Sequence, residues 1–235
     1  MNKRNDSIIK TIKKTPKNIL FRITNNKDIV EKLLIDYPMI DSDMVSKNHL
    51  RIVLTNLKEV LDKDIEGDVV ELGCNIGTTS LFIQKLLDHY KSKKKFHVYD
   101  SFEGLPEKHD KDKNNVERQF VKGRCKTKKE IFIHNFKVAK LKLPVIHVGW
   151  FGKISDDEYP KKIAFAFFDG DFYTSIIDSF NKVYPKMVPD SRITIHDYQW
   201  EVLPGVEKAC TDFLKDKPEK GTIICEDIIG IMIKK

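Results

Sequence analysis

The sequence predicts an α/β domain built on a doubly wound, mostly parallel sheet. Two observations support this prediction. Short apolar segments of strand length alternate with amphipathic segments of helix length, and the run IAFAFF (163–168) is entirely apolar, as in a buried strand. Strands that alternate with helices pair in parallel, because each connection crosses back over the sheet. Ligands of such sheets bind beyond the carboxyl ends of the strands.

The residues of each segment predict its secondary structure. The first predicted helix, 49–63, carries its apolar residues on one stripe, and a strand at 67–73 and a helix at 78–90 follow it. Beyond them the predicted strands are 95–100, 144–151, 162–170 and 191–197, with one or two more in 221–235, and the predicted helices are 129–141, 174–184 and 204–216. The helix at 174–184 is predicted to start with a Ser175–Asp178 capping box, and the last helix opens at Pro204.

The composition excludes several classes of protein. The longest apolar run has six residues, far fewer than the ~20 that cross a bilayer. The basic N-terminus lacks the apolar stretch of a signal peptide. The four cysteines form no C-x-x-C pair and lie at 74, 125, 210 and 225. We therefore expect reduced thiols, a cytoplasmic location and no membrane partner.

The formal net charge of +7 is concentrated at the N-terminus. Residues 1–18 contain six Lys or Arg and one Asp, which leaves the rest of the chain nearly balanced. This distribution argues against nucleic acid as a partner and indicates a solvated tail or an oligomer arm. We therefore divide the chain into a basic, helical N-terminal extension (1–43) and a main domain (44–235).

A glycine-containing turn follows the first predicted strand, in the order Glu71-Leu-Gly73-Cys74-Asn75-Ile-Gly77. Glycines there let a ligand approach the backbone and the amides of the next helix. The G-x-x-x-G spacing differs from the G-x-G-x-x-G of dinucleotide folds and is typical of S-adenosylmethionine (SAM) sites. Glu71 would suit the cationic part of SAM. A tight turn that merely needs glycine is the structural alternative.

Polar side chains also follow three later strands. Asp100 ends the second strand, where a carboxylate can accept the ribose hydroxyls of NAD or SAM, or cap a helix. Asp169 and Asp171 follow the fourth strand, and His196 and Asp197 follow the fifth. Adjacent strands would bring these last four together, which predicts a hard-cation site or a general base at one rim. Helix or turn capping is again the alternative.

Several motifs together resemble one family. They are GDVVELGCNIGTTS, VYDSFEGLPE, HVGWF, FFDGDFYTSIIDSFNKVYPKMVP, ITIHDY and LPGVEKACTDF, and they cover the span from Met44 to Phe213. Their order and spacing resemble the macrocin O-methyltransferase family, whose SAM-dependent enzymes methylate sugar hydroxyls in bacterial natural products. The resemblance implies the seven-stranded sheet of class I methyltransferases, with 44–235 as the methyltransferase domain. It also favours a homo-oligomer.

The resemblance implies cofactor-binding residues in two motifs. They are Glu71, Gly73, Cys74, Asn75 and Gly77 in the turn after the first strand, and Asp100, Ser101 and Phe102 after the second. In the family's pattern the first group lines the methionine and ribose of SAM. Asp100 would bind the ribose diol, with the next two residues close to the adenosine.

The resemblance also implies the metal site. Asp169 matches an aspartate that binds a divalent metal beside the reacting hydroxyl, and Asp197 matches a second metal-binding carboxylate. His196 stands where the family has another aspartate. Asp169, His196 and Asp197 are therefore the expected metal ligands, with Mg²⁺ the expected ion but less secure, because imidazole is a softer ligand.

The mechanism implied is in-line SN2 transfer from SAM, with Asp169 and His196 as catalytic residues that remove the hydroxyl proton. The charged segment 103–129 is the expected lid over a sugar or nucleotide-sugar substrate. Its cationic stretch, 122–129, could hold phosphates.

Four other functions remain open from sequence alone. A phenol or catechol O-methyltransferase would use the same sheet and rim. An RNA methyltransferase would suit the basic pI, and an NAD-dependent oxidoreductase would share Asp100 but not the glycine spacing. A non-catalytic SAM-binding module would bind the cofactor without turnover.

Overall fold

A mixed sheet organises the chain. In the computed structural model, which describes residues 29–40, 44–114 and 119–235, the strands are β1 (Asp68–Leu72), β2 (Phe96–Asp100), β3 (Val145–Val148), β4 (Ile163–Phe168), β5 (Met187–Ile195), β6 (Ile224–Glu226) and β7 (Ile229–Ile233). They pair in the order β3-β2-β1-β4-β5-β7-β6. The first five of this order run parallel, whereas β7 is antiparallel to β5 and β6. The predicted doubly wound, mostly parallel seven-stranded sheet is confirmed.

Helices cover both faces of the sheet. They are α1 (Ile29–Asp36), α2 (Lys47–Asp62), α3 (Thr78–His89), α4 (Lys129–Val138), α5 (Tyr173–Val183) and α6 (Gly205–Leu214). The first four pack against one face, and α5 and α6 pack against the other. Strand β4 contributes side chains to the core on both faces of the sheet. Phe165 and Phe167 pack with α1–α4, and Phe168 packs with α5 and α6. Alternation along a strand explains this division.

The start of α5 corrects one sequence prediction. The Ser175–Asp178 capping box is wrong, because α5 begins at Tyr173 and both residues lie inside it. The Tyr173 amide instead donates to the Asp112 carboxylate at 2.7 Å. A residue from a distant loop therefore caps this helix, and local sequence spacing could not reveal it.

Part of the predicted N-terminal extension lies among the described residues. Helix α1 buries Ile29, Val30, Leu33 and Leu34 in the same cluster as α2 and α3. Residues 1–28 and 41–43 lie outside the described residues, so the division at residue 44 and the role of the basic segment stay predictions. Within the described ranges, no helix combines the length and apolarity needed to cross a membrane.

The parallel pairing continues past the strand ends and places the site loops. The Asp169 amide donates to the Leu72 carbonyl at 2.8 Å, and the His196 amide donates to the Phe168 carbonyl at 2.9 Å. The residues that follow β1, β4 and β5 therefore lie side by side at one edge. The functional residues are expected at this edge from the sequence.

Candidate active site

A cavity of about 340 Å³ opens at the carboxyl ends of the parallel strands. Seven predicted site residues line it: Gly73, Asn75, Asp100, Ser101, Asp169, His196 and Asp197. Aromatic side chains cover other parts of its wall, namely Phe120, Trp150, Phe151 and Trp200. The other four predicted cofactor residues, Glu71, Cys74, Gly77 and Phe102, are not among its lining residues.

Asp100 holds the glycine turn together. Its Oδ2 atom accepts hydrogen bonds from the amides of Cys74 and Asn75 at 2.9 and 2.8 Å, and its Oδ1 atom accepts one from the Phe102 amide at 2.7 Å. Burial raises the pKa of Asp100, while these three amides oppose that rise because they stabilise the carboxylate. Most of the acceptor capacity of this side chain is thus already used by the backbone.

Two predicted cofactor residues, Glu71 and Cys74, are buried. Glu71 is 1% exposed, and the Ser80 hydroxyl of α3 donates to its carboxyl group. Burial raises the pKa of Glu71 well above its usual value. Cys74 is also buried, and burial raises the pKa of its thiol, which fits a backbone contribution better than a reactive sulfur.

The two glycines of the turn are required for different reasons. Gly73 has φ +95°, and a Cβ atom there would lie 1.9 Å from the Asp169 carbonyl oxygen. Only glycine permits that approach between the loops after β1 and β4. Gly77 has φ +93° and packs against the ring of Phe132 in α4, which would lie 3.0 Å from an added Cβ.

Asp169, His196 and Asp197 form the acidic rim. The His196 Nδ1 atom lies 3.1 Å from Asp169 Oδ1 and 3.1 Å from Asp197 Oδ2. Each residue offers one ligand atom, and these atoms all lie within 4.8 Å of one another. The rim residues are therefore brought together as the sequence predicts, in an arrangement that could hold a cation.

Charges at the rim perturb one another strongly. Burial acts to lower the pKa of His196, but Asp197 and Asp169 raise it well above its usual value. Burial, followed by the charges of Asp197 and Asp169, raises the pKa of Asp171 well above its usual value. These carboxylates crowd one site, so a cation or a proton there relieves their repulsion.

His49 is a rim neighbour that sequence reasoning missed. Its Nδ1 atom lies 3.0 Å from His196 Nε2, and its Nε2 atom lies 3.7 Å from a carboxylate oxygen of Asp227. The residue belongs to the first turn of α2. No local motif could have identified it, because the two histidines are 147 positions apart.

The predicted lid is described at 103–114 and 119–129. Its two arms pair where the Leu105 amide donates to Arg124 and the Gly123 amide donates to Leu105. Asp112 anchors it: this side chain is 2% exposed and accepts from the amides of His109 and Tyr173. The segment is therefore tied to the helix that follows Asp171.

Comparison with known proteins identifies relatives of this chain. The macrocin-O-methyltransferase (TylF) family matches residues 2–235. An 8-demethyl-8-(2,3-dimethoxy-alpha-L-rhamnosyl)-tetracenomycin-C 4'-O-methyltransferase of Streptomyces olivaceus is 28% identical, covering 77% of this chain and 69% of that protein. A mycinamicin III 3''-O-methyltransferase of Micromonospora griseorubida is 25% identical, covering 76% and 72%.

Solved structures agree on the fold. The O-methyltransferase NovP superposes with a TM-score of 0.72 at 21% identity, covering 89% of this chain and 88% of that one. The calicheamicin methyltransferase CalS11 gives a TM-score of 0.64 at 18% identity, covering 89% and 91%. The match to the family over nearly the whole chain confirms the resemblance drawn from the motifs. The chain belongs to the macrocin-O-methyltransferase family and is a SAM-dependent O-methyltransferase.

Proposed function

We propose that this enzyme transfers the methyl group of SAM to a hydroxyl of a sugar, and that the acidic rim receives that hydroxyl. The observation that carries the proposal is the shared cavity, which Gly73 and Asn75 line together with Asp169 and Asp197. A carboxylate beside the methyl donor can take the acceptor's proton. The names of the two bacterial relatives, both O-methyltransferases of glycosylated natural products, support a sugar acceptor.

The turn side of the cavity is the proposed cofactor side. Gly73, Asn75 and Ser101 contact SAM from the cavity wall, and Cys74 supports them by donating its amide to Asp100. Because a carboxylate has about four acceptor positions and three amides already use Asp100, one position is left for a ribose hydroxyl. Glu71, Gly77 and Phe102 support the turn from outside the wall.

Asp169 is the proposed proton acceptor. Its side chain lines the cavity and keeps 22% of its surface exposed. The acceptor oxygen attacks the methyl carbon, the carbon–sulfur bond breaks, and the hydroxyl proton passes to a carboxylate oxygen of Asp169. His196 has one ring nitrogen turned to the two rim aspartates and the other to His49, so its catalytic part is to orient Asp169.

The rim also fits a divalent cation. Two carboxylates and an imidazole place one ligand atom each within 4.8 Å of one another, which is the donor chemistry of many divalent sites. Asp169, His196 and Asp197 would hold the ion. When bound, the ion supplies Lewis-acid stabilisation to the developing alkoxide.

The side chains around the cavity favour a sugar that packs against aromatic rings over one that is held through phosphates. Phe120 and Trp200 meet edge to face with ring centroids 5.9 Å apart, and both line the cavity. Lys122, the predicted phosphate ligand, donates to Glu107 at 2.8 Å instead. Among the residues that the structure describes, Lys153, from the loop after β3, is the Lys or Arg that lines the cavity. A nucleotide-linked sugar would therefore contact Lys153 before the lid cations.

Two further predictions belong to this proposal. The free state of Cys74, Cys125, Cys210 and Cys225 supports a cytoplasmic location. The homo-oligomer stays a prediction, and sedimentation of the full chain would measure its size.

A methyl-transfer assay tests the function. The enzyme is incubated with SAM and a panel of rhamnosides, nucleotide-linked deoxysugars, catechols and RNA, and products are read by mass. We expect a methylated sugar and a rate lowered about 10²–10⁴-fold by Asp169→Asn, because a positioned base contributes that much. Asp190→Asn, at an exposed position of β5, is the matched control. A preference for catechols, or SAM binding with no turnover, would contradict the proposal.

A further inference from the structure

We infer that the rim binds a first-row divalent transition ion more tightly than Mg²⁺, and that His49 holds His196 in the tautomer which such an ion needs. This inference rests on the proposed function only in treating the rim as a cation site. It goes further because it names the class of ion and assigns a positioning role to a residue of α2.

The donor set favours a transition ion. Mg²⁺ takes oxygen ligands almost exclusively, whereas imidazole suits ions such as Mn²⁺, Fe²⁺, Co²⁺ and Zn²⁺. The rim offers the nitrogen of His196 between two carboxylates, with Nδ1 at 3.1 Å from an oxygen of each. His196 is only 6% exposed, so it cannot easily turn away and leave its position to water.

Two contacts of His49 show which of its nitrogens accepts hydrogen bonds. The Ser46 amide, which can only donate, points to Nδ1 at 3.4 Å. The Asp227 carboxylate, which can only accept, faces Nε2 at 3.7 Å. Both contacts place the hydrogen on Nε2 and the lone pair on Nδ1.

His49 in turn decides the tautomer of His196. Because His49 Nδ1 accepts, the His196 Nε2 atom 3.0 Å away must carry the hydrogen of that bond. The atom that faces Asp169 and Asp197 is Nδ1, which carries a hydrogen toward these carboxylates when no ion is bound. An ion that replaces this hydrogen would meet the Nδ1 lone pair, while Nε2 keeps its own hydrogen toward His49. A metal-binding histidine commonly donates its other N–H to a fixed acceptor in this way.

The position of His49 is itself fixed. Its amide donates to the Ser46 hydroxyl at 3.0 Å in the capping box of α2. Its ring meets that of His196 edge to face, with centroids 4.9 Å apart. The acceptor is therefore built into the start of a helix that packs on the sheet.

Calorimetric titration of Mg²⁺, Mn²⁺ and Co²⁺ into EDTA-treated protein, with and without S-adenosylhomocysteine (SAH), tests the inference. We expect Co²⁺ and Mn²⁺ to bind more tightly than Mg²⁺, with a Co²⁺ visible absorption band that changes in His196→Asp. That variant has an oxygen-only rim and should shift the preference toward Mg²⁺. His49→Leu should weaken Co²⁺ binding about 10–100-fold, the usual cost of losing an outer partner.

His49→Asn keeps an acceptor oxygen near the Nδ1 position and should retain most of the Co²⁺ affinity, even where His49→Leu folds poorly. His134→Leu, on the exposed face of α4, is the matched control. Binding of Mg²⁺ as tight as that of Co²⁺ and Mn²⁺, or unchanged Co²⁺ affinity in His49→Leu, would overturn the inference. Sugar methylation in EDTA without metal binding would overturn it but leave the proposed function intact. Co²⁺ binding without any methyl transfer would support it and count against the proposed function.

Discussion

Asp100 ends β2 and Asp169 follows β4 at the same edge of the sheet, yet the fold gives them opposite surroundings. Asp100 accepts three backbone amides from the turns after β1 and β2. Asp169 faces the imidazole of His196 and lies near the carboxylates of Asp171 and Asp197. One carboxylate is stabilised by its own backbone, and the other belongs to a cluster whose repulsion a cation relieves.

This comparison shows that the groups around a carboxylate at a strand end determine its role. Amide donors turn the side chain into part of the scaffold, as at Asp100. Neighbouring carboxylates leave the side chain in a cluster whose repulsion a cation would relieve, as at Asp169. The two regions touch at Gly73, whose Cα lies against the Asp169 carbonyl.

The largest effect is expected where the two regions meet. Gly73→Ala would place a methyl group 1.9 Å from the Asp169 carbonyl oxygen at a φ of +95°. We expect a loss of about 3–5 kcal/mol in the free energy of unfolding, which is the range of severe substitutions, together with loss of SAH binding.

Gly221→Ala is the matched control for that variant. Gly221 also has a positive φ, +67°, but no atom lies within 4 Å of an added Cβ. Gly221→Ala should lower the free energy of unfolding by only about 1 kcal/mol, which is the cost of the backbone conformation alone. Urea denaturation measures both variants, and equal losses would contradict the close approach.

Two isosteric substitutions, one in each region, should change the free energy of unfolding in opposite directions. Asp100→Asn replaces a charged acceptor of three amides with a neutral one and should lower the free energy of unfolding by about 1–2 kcal/mol. Asp171→Asn removes a buried acid beside the rim, whose ionised form burial and the charges of Asp197 and Asp169 disfavour, and should raise the free energy of unfolding by about 0.5–1 kcal/mol. Denaturation in metal-free buffer measures the difference. Destabilisation by both would show that the rim carboxylates are as well satisfied as Asp100.

Asp112 extends the comparison to the lid. It resembles Asp100 because its carboxylate accepts hydrogen bonds from backbone amides, those of His109 and Tyr173. Asp112→Ala leaves both amides unpaired and should cost about 2 kcal/mol of stability, with a higher KM for the acceptor and little change for SAM. Asp112→Asn should recover part of both effects, and Asp110→Asn, on the exposed side, is the control. An unchanged acceptor KM in Asp112→Ala would show that the lid does not depend on this anchor.

The smallest effect is expected from the lid cations. Lys122, Arg124 and Lys126 are exposed, and none of them lines the cavity. Reversal of all three to Glu should therefore leave methyl transfer to an uncharged sugar within about twofold, since surface charges contribute little. A steep loss of activity that is specific for phosphate-bearing sugars would instead restore their predicted phosphate contacts.

The order of strands and helices, the doubly wound, mostly parallel sheet and the edge where the candidate site lies could all be predicted from the sequence. Periodicity along the chain and residues that follow apolar runs are local features, so they can be read without a structure. The meeting of Asp169, Asp171, His196 and Asp197 also followed from this, because adjacent parallel strands end at one edge. The choice of Asp169, His196 and Asp197 as ligands, and the count of seven strands, came from the family resemblance. The family resemblance rested on the same local strings.

The hydrogen-bond partners of the polar groups, in contrast, depend on the tertiary structure. It joined His49 to His196 across 147 positions, gave α5 the distant cap Asp112 instead of its own Ser175, and buried Glu71. Three backbone amides also occupy most of the acceptor positions of the Asp100 carboxylate. These outcomes depend on contacts between segments far apart in the chain, where the pairing of donors and acceptors is settled by packing and not by spacing along the sequence.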